Sequence, residues 1–302
     1  MSLQLRTEAP VELELHPLSD VIGVEIRGVD LREKLNAATV DAIQHAWLEH
    51  CVIVIRNQSL SDGDLVRFSR NFGELAMSPN MAWKPEEGRV HPEIFVISNV
   101  VENGHPIGFL GDTEVDWHTD LCHTVLPPKA TTLHAREVPE DGSGDTGYMN
   151  MYAMLEALPS GLRRGIDGLQ LKHEAGHTLQ GEVRLGLDEG KVRSIEDAPG
   201  PVHPLVRTHP ETDRKAIYLG RQYNGEYRAA CVIGMSRPES DSLLDEIWES
   251  VRLEAHVWYH HWQVGDVIMW DNRCVMHRRG PFDSKMRRIL HRTQIEDTER
   301  PF

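Results

Sequence analysis

The hexapeptide Val115-Asp116-Trp117-His118-Thr119-Asp120 sets an imidazole and a carboxylate two residues apart. Along a strand, side chains alternate between faces with a period of two. His118 and Asp120 then point the same way, Thr119 points opposite, and both can reach one metal ion. One further histidine would complete a set of two imidazoles and one carboxylate. That set leaves three coordination positions open and suits non-haem Fe(II) oxygen chemistry. By itself a His-x-Asp is weak evidence in a chain with 17 histidines. His277, at the end of the apolar run in "DVIMWDNRCVMHRR" (266–279), is the best-placed third ligand. His260 and His261 in an aromatic strand, mid-strand His134, and His123 beside the motif are the alternatives, each with an ordinary packing role.

Arginines follow in "RRILHRTQI" (287–295), where a strand puts Arg288, Leu290 and Arg292 on one face. Two guanidinium groups beside a metal would make a locally basic pocket, and a planar fork grips a carboxylate bidentately. The plain alternative is a pair of surface arginines matched to acids.

A competing motif is "HEAGH" (173–177). On a helix, His-Glu-x-x-His holds zinc with its two histidines and uses the glutamate as a general base for peptide hydrolysis. Its context argues otherwise. The preceding "GLQLK" (168–172) alternates like a strand, Gln180 and Val183 stand where the extended motif needs Gly and His, and no glutamate stands out as third ligand. Polar residues at a strand end are the preferred reading.

The elements that must position these groups follow from periodicity. Alternating or continuous apolar runs predict strands at 11–18, 22–30, 51–58, 94–100, 130–138, 266–270, 274–279 and 287–295. Helical spacing predicts helices at 37–50, at 61–75 with Ser61 as N-cap, at 151–166 with a break near Pro159, and at 239–252. Stretches 77–93 and 102–114 read as long loops of the kind that cover active sites. No repeat or linker divides the chain, so residues 1–302 are expected to form a single domain. Many strands with a few helices predict a β-rich α+β fold.

Composition limits the partners. The net charge of −15 argues against a nucleic-acid or anionic-membrane surface and leaves room for a locally basic pocket. Four scattered cysteines without a C-x-x-C pair fit a reduced, cytoplasmic protein. The opening "MSLQLRTEAP" lacks an apolar h-region, and no apolar run is long enough to span a membrane.

Taken together, "WHTD" (117–120), "PP" (127–128), "GSGDT" (142–146), "PLVRTHPETDRKAIY" (204–218), "GDVIMWDNRCVMHRR" (265–279) and "RRILHRTQI" (287–295) occur in an order and spacing that resemble the Fe(II)- and 2-oxoglutarate-dependent dioxygenases typified by taurine dioxygenase and 2,4-dichlorophenoxyacetate dioxygenase. The likeness runs from about residue 11 to 297 and is more specific than any one of its parts. It implies a double-stranded β-helix, or jelly roll, with flanking helices, and a homodimer or homotetramer. It implies that His118, Asp120 and His277 ligate Fe(II), that Thr146 and Arg288 bind the distal carboxylate of 2-oxoglutarate, and that Arg292 meets an anionic substrate. The cofactors would be Fe(II), 2-oxoglutarate and O2, and the reaction hydroxylation of a C–H bond with release of succinate and CO2. The related halogenases lack the carboxylate, so Asp120 argues for oxygenation.

The loops 77–93 and 102–114 carry nothing that matches the taurine enzyme. They offer Met81, Trp83, Phe109 and Leu110 as an apolar wall, which leans the expectation toward a small carboxylate or sulfonate with an apolar or aromatic body. A non-catalytic jelly-roll binding protein and the zinc peptidase are the alternatives.

Overall fold

A computed structural model of the chain describes residues 11–78, 90–112, 114–178, 182–184, 186–188, 192, 194–221, 228–251 and 254–302. Val52–Ile55 is apolar at every position because both its faces are covered. Val52 and Val54 enter one core cluster, and Ile53 and Ile55 the other. Val267–Asp271 repeats this pattern, with Ile268 and Trp270 on one side and Val267 and Met269 on the other. Such strands read as unbroken apolar runs, since each side chain leaves water whichever face it takes.

These strands belong to an eight-stranded sheet. Its order is Glu14–Pro17, Val24–Arg27, Val52–Ile55, Val267–Asp271, Ala130–Glu137, Ile289–Ile295, Phe95–Ser98, Phe109–Leu110. Two of its joins are parallel, Val24–Arg27 with Val52–Ile55 and Phe95–Ser98 with Phe109–Leu110. One face is covered by two helices. Ala37–His50 is capped by the Asn36 side chain, which accepts from the Thr39 amide. Asp62–Ser69 begins with a capping box between Ser61 and Asp64. Trp47, Leu65 and Phe68 from these helices fill the core there.

The other face meets a four-stranded sheet ordered Val257–His260, Thr146–Asn150, Val275–Arg279, Val115–His118. Tyr148 from this sheet packs on Trp270 from the large one, with ring centroids 5.5 Å apart. A three-stranded sheet has Gln170–His173 at its centre, between Val202–Pro204 and Ala230–Val232. The helices Met151–Ala157, Ser160–Ile166 and Arg237–Val251 match the expected ones, break at Pro159 included. The architecture is β-rich α+β. No helix among the described residues is long and apolar enough to cross a membrane.

One expectation is corrected. Residues 102–114 are not a single open loop. Val101–Glu102 pairs with His105–Pro106 as a small hairpin, and Phe109–Leu110 joins the edge of the large sheet. Asn103 and Gly104 take positive φ at the hairpin turn, a signal for a two-residue turn that the polar composition of the stretch obscured. Within 77–93, residues 79–89, Met81 and Trp83 among them, lie outside the described set.

The metal-motif strand is held from behind by Gly220. Its carbonyl accepts from the Thr119 amide at 2.7 Å, and its φ is +80°. A Cβ here would lie 2.3 Å from Nδ1 of the buried His173. Gly220→Ala is therefore expected to cost roughly 3 kcal/mol, combining a left-handed conformation with overpacking. Urea unfolding measures it, and an unchanged midpoint would show that this contact does not fix the segment.

Candidate metal centre and its arginine pocket

His118 ends the Val115–His118 strand, and His277 lies directly opposite it on Val275–Arg279. Their rings are 4.1 Å apart. Asp120 follows two residues on, and its Oδ1 is 3.8 Å from Nε2 of His118 and 3.9 Å from Nε2 of His277. All three side chains are buried, and their ligand atoms lie within 4.8 Å of one another.

Neighbouring groups aim these atoms. The backbone carbonyl of Asp116 accepts from Nδ1 of His118 at 2.8 Å, which sets the tautomer and leaves the Nε2 lone pair free. Oδ2 of Asp120 accepts from the Thr131 hydroxyl at 2.7 Å and from the Gln294 amide at 3.2 Å. Asn272 in turn donates to the Thr131 oxygen, and Trp270 donates to Asn272. One carboxylate oxygen is thus fixed by hydrogen bonds and the other turns toward the imidazoles.

The electrostatics suit a cation. Burial, reinforced by the neighbouring His118, pushes His277 down to about 3, and burial also lowers His118. Burial opposes ionisation of Asp120, but attraction from His277, Arg292 and His118 prevails and holds it at about 2. Two neutral imidazoles and one ionised carboxylate are the donor set that a divalent metal requires. The residues fit an Fe(II)-type facial site.

Arginines line the same cavity: Arg279, Arg288 and Arg292. Burial, with repulsion from Arg279, lowers Arg288 to about 9, so it stays charged at neutral pH. Its Nη2 reaches the Gly144 carbonyl at 3.4 Å. A Cβ on Gly144 would stand 3.3 Å from the Arg288 Nε, which explains the glycine in "GSGDT". Thr146 lines the cavity, and its hydroxyl accepts from Nε1 of Trp262 at 3.0 Å. Arg292 lies over the Phe95 ring at 4.4 Å, with Nη1 3.7 Å from Oδ1 of Asp120. Ile97, Leu110, Leu133 and Leu290 make the remaining wall apolar.

Of the apolar residues expected from 102–114, Leu110 lines the cavity, while Phe109 stacks on Phe95 with centroids 5.4 Å apart. Leu110 takes φ +70°. The other histidines have separate duties: His134 bonds the Gln58 carbonyl, His260 bonds Asp266, and His261 pairs with Asp145.

Thr131, Gln294, Asn272, Trp262 and Arg279 were not singled out from the sequence. Two signals were available. Arg279 shares strand parity with His277, and Gln294 with Arg292. Thr131 is the cross-strand partner of Gln294 and could not be read locally.

The HEAGH segment is not on a helix. His173 ends the Gln170–His173 strand, and His177 forms a bridge with Val183. Glu174 binds Arg221 at 2.6 Å through Oε2 and His177 at 3.0 Å through Oε1, so both its oxygens are engaged. A second group, His209, Asp271 and Cys274, also has metal-ligating types. Arg273 grips both oxygens of Asp271, at 2.8 and 2.6 Å, so this cluster is an ion pair supporting the core.

Thr131→Val removes the hydroxyl that fixes Asp120. It is expected to weaken metal binding roughly 10- to 100-fold, as loss of an outer-shell partner does. Competition against a chromophoric chelator reports the affinity, and an unchanged value would show that Asp120 is oriented by other contacts.

Comparison with known proteins agrees with this geometry. The family model described as "Taurine catabolism dioxygenase TauD, TfdA family" matches residues 14–294. The chain is 33% identical over 292 residues to an alpha-ketoglutarate-dependent 2,4-dichlorophenoxyacetate dioxygenase of Cupriavidus pinatubonensis, covering 93% of this chain and 97% of that one. It is 29% identical over 294 residues to an (S)-phenoxypropionate/alpha-ketoglutarate-dioxygenase of Sphingobium herbicidovorans, covering 93% and 94%. The crystal structure of a taurine dioxygenase from Burkholderia xenovorans superimposes with a TM-score of 0.75 at 30% identity, covering 96% of this chain and 92% of that one. The chain belongs to the TauD/TfdA family of 2-oxoglutarate-dependent dioxygenases.

Proposed function

We propose that this dioxygenase, which uses Fe(II), 2-oxoglutarate and O2, hydroxylates an aliphatic C–H of a small carboxylate or sulfonate with an apolar or aromatic body. The observation that carries the reading is one buried cavity that unites the His118–Asp120–His277 triad, the Arg288 and Arg292 guanidinium groups and an apolar wall. Asp120 is the one carboxylate among the described residues lining it. Arg288 and Arg292 share this single lining carboxylate, and anionic ligands supply the balance. Bound Fe(II) with 2-oxoglutarate and O2 supplies the oxidising power, one oxygen atom going to the substrate and the other to succinate as CO2 leaves.

The remaining work falls to side chains. His118, Asp120 and His277 hold the ion. Because Trp262 donates to the Thr146 oxygen, the Thr146 proton is free to point at the distal carboxylate of 2-oxoglutarate, which Arg288 grips from the same side. Arg292, seated on Phe95 next to the triad, binds the substrate anion and so sets which carbon lies near the metal. Leu110, Ile97, Leu133 and Leu290 exclude water and accept the apolar body. Hydroxylation at a carbon bonded to ether oxygen or sulfonate sulfur gives a product that collapses to a carbonyl and a released group. The relatives named for phenoxypropionate and 2,4-dichlorophenoxyacetate support the aryl-ether case.

The same reading takes the two facing sheets as a double-stranded β-helix in one domain. It places the protein in the cytoplasm as a homodimer or homotetramer, which light scattering tests.

Anaerobic addition of Fe(II) and 2-oxoglutarate is expected to give a weak visible charge-transfer band, lost in His118→Ala and Asp120→Ala. Arg288→Ala should weaken 2-oxoglutarate by about 2–5 kcal/mol, the typical cost of truncating a buried charge pair. Unchanged affinity in that variant would refute its role. Succinate release across aryloxyalkanoates, alkyl sulfonates and uncharged analogues then tests the substrate class. Turnover confined to uncharged or cationic compounds would overturn the proposed anion site, and a band without turnover of any compound would favour a binding protein.

A further inference from the structure

We propose that Arg279 is a positioning residue for substrate specificity: it fastens the backbone at Leu110 and thereby sets the apolar wall that a substrate meets beside the metal. Arg279 lies two residues beyond His277 on the same strand, opposite Thr146 in register. Its side chain is buried and lines the cavity. From there Nη2 donates to the Leu110 carbonyl at 2.9 Å.

Leu110 has a conformation that needs such a hold. It sits at φ +70°, followed by Gly111 at +47°. A left-handed backbone is costly for a bulky L-residue and persists where surrounding contacts enforce it. The turn directs the Leu110 carbonyl to Arg279 while the Leu110 side chain lines the cavity. The other end of this short strand is held separately. Phe109 pairs with Ile97 and stacks on Phe95, which carries the Arg292 guanidinium on its ring. Phe109–Leu110 is thus secured by an aromatic stack at one end and by a guanidinium at the other, and both holds are built on arginines of the cavity. A planar fork with fixed donor directions suits this contact better than the point charge of lysine.

The width of the cavity at Leu110 therefore depends on Arg279 as much as on the leucine. Without that donor, the strained turn has a reason to relax, and the wall it carries moves with it. The consequence for substrates rests on the oxygenase reading above, whereas the fastening of Leu110 stands on the geometry alone.

The test uses the whole protein carrying Arg279→Met. Hydrogen–deuterium exchange is followed over peptides spanning 105–115, with 130–137 as internal control. Exchange at 109–112 is expected to accelerate by at least about tenfold while the control stays unchanged. Anaerobic titration of the Fe(II)-loaded variant with 2-oxoglutarate should give an affinity within about threefold of the parent, and with 2-phenoxypropionate as substrate KM should rise more than kcat falls. Arg279→Lys should restore part of the protection, and it serves as the readout if the methionine variant does not fold. Unchanged exchange at 109–112 overturns the proposal. So does a large loss of 2-oxoglutarate affinity with exchange intact, which would make Arg279 a co-substrate anchor. Failure of the parent protein to show the charge-transfer band would instead sink the oxygenase reading, and the exchange experiment would still decide the fastening.

Discussion

The carboxylate of Asp120 is the constraint around which the site is arranged. It is buried and ionised, and an isolated charge in that position would be strongly unfavourable. Oδ2 is satisfied by Thr131 and Gln294, and Oδ1 is left to the imidazoles, Arg292 and a metal. This division explains polar residues that would otherwise be anomalous in a β core. Thr131 and Gln294 face each other across neighbouring strands, and Asn272 and Trp270 extend the network from a third. Residues far apart in sequence meet at one oxygen atom, so the ligand geometry exists only when both sheets have formed.

The arginines are a second consequence of charge placed in a dry interior. The chain is acidic overall, at −15, so its outer surface does not attract anions. Within the cavity the balance reverses, with three guanidiniums around one carboxylate. Low-dielectric walls concentrate that local field. Burial lowers Arg288 and Arg279 without bringing either near neutral pH, so the pocket keeps its charge across the physiological range.

Much of this could be read along the chain. Parity grouped Arg288 with Leu290 and Arg292, because strand alternation is a local rule, whereas Asp120 lies in the turn just past the Val115–His118 strand. The same rule reaches Arg279 from His277 and Gln294 from Arg292. It was not applied at Phe109 and Leu110, where the stretch reads as a loop, and of the two apolar residues expected there only Leu110 lines the cavity. Thr131, Asn272 and Trp262 were illegible for a different reason. Their roles depend on cross-strand register and on packing between sheets, and no local pattern encodes either. The quoted motifs located the family and contain Gln294, Asn272 and Trp270, while Thr131, which bonds Asp120 directly, lies outside them.

The HEAGH segment shows how partner groups, and not the letters of a motif, decide chemistry. A general base needs a carboxylate oxygen free to take a proton. Glu174 has both of its oxygens engaged, by the buried Arg221 and by His177. Arg221 in turn makes a backbone bridge with His118, and Gly220 beside it receives the Thr119 amide. His173 closes against Gly220 so tightly that a side chain there has no room. The segment that imitates a zinc site therefore forms the back wall of the triad. Its charges are spent on holding the Val115–His118 strand end, and the metal chemistry is left to the face where one oxygen of Asp120 remains open.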